Sequence, residues 1–123
     1  MADRFRITLA QLNPTVGDIP GNAAKARAAW QEARKAGADM VAFPEMFITG
    51  YNTQDLVMKP VFHRAAMAAV EDLALDCAEG PAIAIGGPWV EDDSLYNAYL
   101  ILNGGRITSK SLKHHLPNET VFD

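Results

Sequence analysis

The first 43 residues follow a strand–helix–strand pattern with short connections, and this pattern restricts the fold more than any other feature. Residues Arg6–Leu12 alternate polar and apolar side chains, as a half-buried strand does. Ala23–Ala36 has apolar residues at helical spacing, between Asn22 as a predicted N-cap and Gly37 as a predicted stop. Ala38–Phe43 ends in an unbroken apolar run, typical of a strand buried on both faces. Such units close with a right-handed crossover and parallel strands, so the sequence predicts an α/β fold.

The remainder of the chain predicts one more helix and three strands. Pro60 suits the first turn of a helix whose apolar side chains fall on one stripe. This stripe comprises Phe62, Ala66, Ala69, Val70, Leu73 and Cys77. Strands are predicted at Pro81–Trp89, which Gly86-Gly87-Pro88 would end, and at Leu95–Leu102 and Arg106–Leu112, joined by an Asn-Gly-Gly hairpin turn. The order β-α-β-α-β-β-β predicts a single α/β domain with a mixed sheet and helices on one face.

The composition argues against several classes of function. The chain has 123 residues, of which 49% are hydrophobic and 21% charged, and its net charge of −4 arises from interspersed acidic and basic residues. Without a basic patch, nucleic acid is not an expected partner. No apolar run matches a membrane span or a signal-peptide core, so we expect no membrane partner and a cytoplasmic location. The three histidines and the single cysteine show no metal-ligand spacing, and no metal is expected.

Cys77, the single cysteine, could be a nucleophile or an inert core residue. It lies on the apolar stripe of the second predicted helix, and no basic residue stands beside it in sequence to lower its pKa. The inert role is therefore favoured. A single cysteine also excludes an internal disulfide.

Two charged stretches, one with a glutamate and one with two lysines, allow a chemical role as well as an ordinary one. Glu45 follows a predicted strand directly after Pro44, and strand ends are where binding and catalytic groups gather in α/β sheets. A carboxylate partly desolvated among aromatic neighbours suits a general base, but a solvated residue that closes a strand is the commoner case. Lys110 and Lys113 in the last predicted strand are by themselves typical of a solvated sheet edge. Taken singly, neither position identifies a site.

These positions belong to an ordered set of motifs. The chain carries Phe43-Pro44-Glu45, then Thr49-Gly50-Tyr51, then Leu95-Tyr96-Asn97, and then Lys113 with His115-Leu116-Pro117. In this order and spacing the motifs resemble the nitrilase (carbon–nitrogen hydrolase) superfamily. Three further stretches resemble most closely the N-terminal glutaminase domains of glutamine-dependent NAD synthetases; they are residues 10–18, residues 50–51 with 55–57, and residues 116–118 with 121–123. The resemblance covers essentially the whole chain.

The resemblance implies an α-β-β-α sandwich, of which this chain would form the first half, and a Glu-Lys-Cys triad. By matching motifs, Glu45 would be the general base that takes the thiol proton and later activates a water molecule. Lys113 would stabilise the tetrahedral oxyanion. Tyr51, six residues after the base, would line the substrate pocket. The nucleophilic cysteine of this family lies downstream of the lysine motif, which places it beyond Asp123 and excludes Cys77.

One position departs from the pattern that the resemblance implies. Where the glutaminase pattern usually carries a tyrosine that contacts glutamine, this chain has Glu119. A carboxylate lacks the stacking surface of a phenol, but it can pair with an ammonium group. A contact with the substrate and an ordinary loop position both stay open for Glu119.

The resemblance also implies a role for the chain. Residues 1–123 would be the N-terminal portion of a glutaminase domain, with the rest of that domain and a synthetase domain farther along a parent protein. The parent protein, expected to be a homo-oligomer, would hydrolyse glutamine and supply ammonia for ATP-dependent NAD synthesis from deamido-NAD. Glutamine is then the partner of this segment, which needs no cofactor, and ATP, Mg²⁺ and deamido-NAD belong to the synthetase domain. The alternatives are another amidase or carbamoylase of the superfamily, or a non-catalytic fragment. The isolated segment is expected to be inactive.

Overall fold

The computed structural model describes residues 4–50 and 59–114, which form one five-stranded sheet and two helices. The strands are β1 (Ile7–Leu9), β2 (Met40–Ala42), β3 (Ala82–Glu91), β4 (Ser94–Asn103) and β5 (Arg106–His114), and the helices are α1 (Ile19–Lys35) and α2 (Pro60–Asp76). The strands lie in chain order across the sheet. β1, β2 and β3 run parallel, whereas β3, β4 and β5 form an antiparallel meander. The predicted element order and mixed sheet are confirmed.

Both helices cover the same face of the sheet. α1 connects β1 to β2 and α2 connects β2 to β3, and two right-handed crossovers in the same direction place their helices on one side. The helices pack against each other and against the sheet. Ile85 and Leu100 point into this layer and are completely buried. We call the other side the open face; Ile7 and Leu9 lie on it and are 52% and 68% exposed. Neither helix of the described part is long and apolar enough to cross a membrane.

Helix α1 begins at Ile19 rather than at Ala23, so the prediction of its start was wrong. Asp18 is the N-cap, and its side chain accepts a hydrogen bond of 3.0 Å from the Gly21 N–H. Asn22 lies inside the helix and is completely buried. The prediction missed this start because the first turn contains a proline and a glycine, two residues that are unfavourable inside helices. Proline is accepted in the first turn because the first N–H groups have no helical partner. The predicted end is confirmed, since Gly37 has a φ of +80° just after the helix.

Strand β3 continues through the glycines that were predicted to end it. Gly86, Gly87 and Pro88 all pair with β4, and the strand runs on to Glu91. The turn that ends β3 is at 92–93, where both aspartates have the positive φ values, 52° and 64°, of a type I′ hairpin turn. The two glycines instead leave room for the chain segment after β2, which approaches β3 closely.

The core lies between the helices and the sheet. The Trp30 indole donates a hydrogen bond of 2.8 Å to the Pro81 carbonyl and so joins α1 to the start of β3. The predicted stripe on α2 faces this core, with Ala66, Val70 and Leu73 buried. Cys77 caps the end of α2 and is 6% exposed. Its placement in the core is as predicted.

Candidate active site

The segment after β2 leaves the sheet and returns to it within five residues. The Phe43 N–H donates a hydrogen bond of 2.8 Å to the Ala84 carbonyl, and the Ile48 N–H donates one of 3.2 Å to the Gly86 carbonyl. Between these two bonds to β3 the chain forms a turn that carries Glu45 on the open face. We call residues 43–50 the glutamate turn. Its two ends are fixed to the central strand of the sheet, so the position of the carboxylate is set by β3.

Two aromatic side chains of the glutamate turn pack into the core and support the turn from that side. Phe43 and Phe47 are buried, and their ring centroids lie 5.0 Å apart. The Glu45 side chain itself is 46% exposed, so the carboxylate is less desolvated than its apolar neighbours in sequence suggested. The reason is that the aromatic rings point into the core while the glutamate projects from the open face.

The residue after Glu45 has an unusual backbone conformation. Met46 has a φ of 53°, in the left-handed region that costs an L-residue roughly 1–2 kcal/mol. The Gly50 N–H donates a hydrogen bond of 2.8 Å to the Met46 carbonyl and closes the turn. Backbone strain of this kind occurs frequently at functional sites, where the surroundings hold a side chain in a required direction. Here the strained residue directly adjoins the carboxylate.

Helix α1 holds the glutamate turn from the side. The Asn22 amide donates hydrogen bonds of 2.9 Å to the Thr15 carbonyl and 3.1 Å to the Ile48 carbonyl. Its oxygen accepts one of 2.7 Å from the Thr15 N–H. The Gly17 N–H also donates to the Thr49 carbonyl at 2.8 Å. The loop before α1 and the glutamate turn are therefore one hydrogen-bonded unit.

Lys113 comes to Glu45 from the far end of the sheet. It lies opposite Asn97 in the β4–β5 pair and directly follows Leu112, which packs against the helix-covered core, so strand alternation places Lys113 on the open face. Its Nζ is 3.0 Å from Glu45 Oε2. The two side chains are 63% and 46% exposed, and an ion pair with such exposure stabilises a fold by only about 0–1 kcal/mol. The pair thus brings a proton acceptor and a fixed cation together at little benefit to stability.

Cys77 lies away from this pair. It is in the core on the helix-covered side of the sheet, whereas Glu45 and Lys113 are on the open face. Burial raises the pKa of its thiol to about 11, and the neighbouring Arg27 only partly opposes that shift. A buried neutral thiol is a poor nucleophile. The structure therefore agrees with the inert role predicted for Cys77.

Two predicted site residues fall outside the described part of the chain. Tyr51 and Glu119 both lie in the ranges that the structure does not describe, as do residues 115–118 of the lysine motif. Their proposed contacts with substrate stay predictions. Within 4–50 and 59–114, no group of three or more His, Cys, Asp or Glu side chains is placed to hold a metal ion.

Sequence reasoning missed Tyr99, which also adjoins the glutamate turn. Its hydroxyl donates a hydrogen bond of 2.7 Å to the Phe43 carbonyl. Burial, and then the negative charge of Glu45, raise the pKa of this hydroxyl above its ordinary value. Strand alternation places Tyr99 on the same face as Asn97, but nothing in the sequence indicates the carbonyl that it reaches.

Comparison with known proteins agrees with these motifs. A family model described as carbon-nitrogen hydrolase matches residues 6–122. A glutamine-dependent NAD(+) synthetase of Rhodobacter capsulatus is 62% identical over 123 residues, which is 100% of this chain and 22% of that protein. The glutamine-dependent NAD(+) synthetase of Thermotoga maritima is 38% identical over 120 residues, or 98% of this chain and 21% of that protein. The chain thus spans about a fifth of the length of these relatives.

Solved structures show the same fold. A glutamine-dependent NAD(+) synthetase from Cytophaga hutchinsonii superimposes with a TM-score of 0.82 at 27% identity, covering 89% of this chain and 19% of that chain. An amidase of the nitrilase superfamily from Nesterenkonia gives a TM-score of 0.75 at 20% identity, over 89% of this chain and 42% of that chain. The five-stranded mixed sheet with its helices is thus nitrilase-like.

Proposed function

Because the chain belongs to the carbon–nitrogen hydrolase family, we propose that residues 1–123 are the N-terminal portion of a glutaminase domain. The parent protein hydrolyses the side-chain amide of glutamine and delivers the ammonia to ATP-dependent NAD synthesis from deamido-NAD. The names of the relatives that match over the whole chain support this substrate over those of other amidases or carbamoylases. A cytoplasmic, homo-oligomeric parent protein is part of the proposal, and rests on the sequence.

The observation that carries the proposal is the approach of Lys113 Nζ to within 3.0 Å of Glu45 Oε2. The two residues are far apart in sequence and come from different parts of the sheet. Their pairing on the open face supports a general base next to a cation that is fixed before the reaction begins. A preorganised cation of this kind stabilises negative charge that develops on a substrate oxygen.

The reaction then consists of two successive nucleophilic substitutions at the side-chain amide carbon of glutamine. A cysteine thiol gives its proton to Glu45 as the sulfur attacks the amide carbon, and Lys113 stabilises the oxyanion. The C–N bond breaks, and the proton passes from Glu45 to the nitrogen, which leaves as ammonia. A water molecule then gives a proton to Glu45 and adds to the thioester carbon. The C–S bond breaks, the proton returns to the sulfur, and glutamate leaves.

We place the nucleophilic cysteine outside residues 1–123. Cys77 is unsuited to the role because it is buried on the other side of the sheet with a raised pKa. ATP and Mg²⁺ belong, in this proposal, to the synthetase domain, and glutamine is the partner of the segment described here. Tyr51 and Glu119 are proposed as substrate contacts on sequence grounds alone.

The test is glutamine hydrolysis by the full-length protein with Glu45→Gln and with Lys113→Ala. We expect each variant to lose at least about a hundredfold in kcat, because one loses the base and the other the oxyanion cation. NAD formation from added ammonium should persist, which would show that the synthetase step is intact. The measurements are glutamate release and NAD formation in parallel.

Lys110 and Glu91 provide the matched control. Lys110 Nζ lies 2.7 Å from Glu91 Oε1, in an ion pair that joins β5 to β3 on the helix-covered side and whose side chains are 36% and 39% exposed. Lys110→Ala and Glu91→Gln should leave kcat within about twofold of the wild-type value, as exposed ion pairs contribute little. Near-wild-type hydrolysis in Glu45→Gln or Lys113→Ala would contradict the assigned roles. Hydrolysis of simple amides without hydrolysis of glutamine would favour an amidase instead.

A further inference from the structure

We propose that Tyr99 is a positioning residue for Glu45, acting through the Phe43 carbonyl. The inference rests on the proposed function, since it concerns the same base. Tyr99 lies on β4, a strand that contributes no residue to the proposed Glu-Lys-Cys triad. Its side chain nonetheless determines how the glutamate turn leaves the sheet.

Tyr99 reaches the glutamate turn across the intervening strand. It stands opposite Gly86 in the β3–β4 pair, where the glycine has no side chain to block the open face. The hydroxyl therefore passes over β3 and donates its hydrogen bond of 2.7 Å to the Phe43 carbonyl. It also lies 3.4 Å from the Ala84 carbonyl. The Tyr99 side chain thus links β4 to Phe43, the first residue after β2.

The Tyr99 bond completes the attachment of the Phe43 peptide groups. The Phe43 N–H is already held by the Ala84 carbonyl at 2.8 Å, and Tyr99 holds the Phe43 carbonyl. With both groups fixed, the direction in which the chain enters Pro44 and Glu45 is fixed as well. Within residues 4–50 and 59–114, Tyr99 is the side chain that donates to the Phe43 carbonyl, and without the hydroxyl this carbonyl depends on water.

The protonation state of Tyr99 suits this role. Burial and the charge of Glu45 both favour the neutral phenol, so the hydroxyl keeps its donor proton at neutral pH. Tyr99 does not pair with the Glu45 carboxylate, whose partner is Lys113. Its effect on the reaction therefore comes through the backbone, and it leaves the carboxylate free to exchange protons.

The test is Tyr99→Phe in the full-length protein, which removes the hydroxyl and keeps the ring. We expect kcat for glutamine hydrolysis to fall about tenfold while KM changes less than about twofold, because small displacements of a catalytic group lower the rate more than substrate binding. Thr108→Val is the matched control: it removes a hydroxyl that also donates to a strand carbonyl, that of Ile101 at 3.3 Å, away from the glutamate turn. It should leave kcat and KM near the wild-type values. Thermal unfolding would show that the substituted domain of each variant is folded, and NAD formation from ammonium would show that its synthetase step is intact.

Three outcomes separate this inference from the proposed function. A normal kcat for Tyr99→Phe, together with loss of activity in Glu45→Gln, would overturn the positioning role alone. A raised KM with unchanged kcat would also overturn it, because that result indicates substrate binding. Normal activity in Glu45→Gln would overturn both the proposed function and the positioning role.

Discussion

Gly86 and Glu45 come from different parts of the sheet, and their main chains touch where β3 passes beneath the glutamate turn. A Cβ atom at Gly86 would lie 2.7 Å from Glu45 Cα and closer still to the Met46 nitrogen. Both contacts are with backbone atoms, which cannot move aside as a side chain can. The absence of a side chain at Gly86 therefore leaves room for the backbone of Glu45.

We predict that Gly86→Ala lowers kcat for glutamine hydrolysis by about a hundredfold in the full-length protein, because a displacement of about 1 Å at a catalytic group can have that effect. Steady-state kinetics with added ammonium as the synthetase control would measure it. Gly87→Ala is the comparison variant, since its new methyl would meet the Ile48 side chain at 2.6 Å and not the Glu45 backbone.

Gly87→Ala should reduce stability by about 1–3 kcal/mol through overpacking while leaving a substantially higher kcat than Gly86→Ala. Equal kcat values for the two variants would contradict the importance of the Glu45 contact. Thermal unfolding of both proteins would separate loss of fold from loss of position.

At the residue scale, the charged groups could be predicted from the sequence, whereas the residues that position them could not. Glu45 and Lys113 are visible because they stand in motifs with fixed spacing. Tyr99 and Gly86 are not, since their importance depends on the turn coming back to β3, a contact between distant segments that no local pattern encodes. Glycines in a strand can mark a close backbone approach, but the sequence does not show which segment approaches.

At the element scale, α1 does more than connect two strands. Asn22 makes three hydrogen bonds from inside the helix, to Thr15 twice and to Ile48 once. We predict that Asn22→Ala lowers the free energy of unfolding by about 3 kcal/mol, because it leaves buried backbone groups without partners. Urea unfolding of the full-length protein, followed at the transition of this domain, would measure the change.

Asp18→Ala serves as the control at the same helix end. Only the cap to the Gly21 N–H is lost, so the expected decrease is about 1 kcal/mol. If Asn22→Ala destabilises no more than Asp18→Ala, the two loops are not held together by Asn22 as the structure indicates.

The elements themselves were largely predictable, and their ends were not. Periodicity identified both helices and all five strands of residues 4–50 and 59–114 in the correct order, because apolar spacing reflects burial directly. The start of α1 was misplaced because asparagine is favoured at caps and Asn22 fulfils a buried bridging role instead. The end of β3 was misplaced because two aspartates make a type I′ turn without the usual glycine.

At the scale of the whole molecule, the open face is the surface that a second layer would cover. Leu9 and Ile7 are exposed on β1, which is one of the two outer strands of the described sheet. We predict that residues 1–123, prepared by themselves, self-associate through this apolar edge and release no ammonia from glutamine. Sedimentation velocity and an ammonia assay would measure the two properties.

Charged substitutions identify the surface responsible. Ile7→Lys with Leu9→Lys should shift the sedimentation profile toward the monomer. Val61→Lys, at a residue of α2 that is 72% exposed on the helix side, should have little effect. A monomeric wild-type segment, or an equal response to Val61→Lys, would contradict association through the open face.

The ion pair between Glu45 and Lys113 has a consequence for the order in which the molecule is assembled. The β3–β4–β5 meander joins neighbouring segments, whereas the parallel strands require the closure of long loops through α1 and α2, and such pairing is slow. Glu45 follows β2, in the half of the sheet whose strands pair slowly, and Lys113 lies on β5, in the half whose strands pair quickly. We therefore expect the Glu45–Lys113 ion pair to form only after the two halves have docked, as one of the last events of folding.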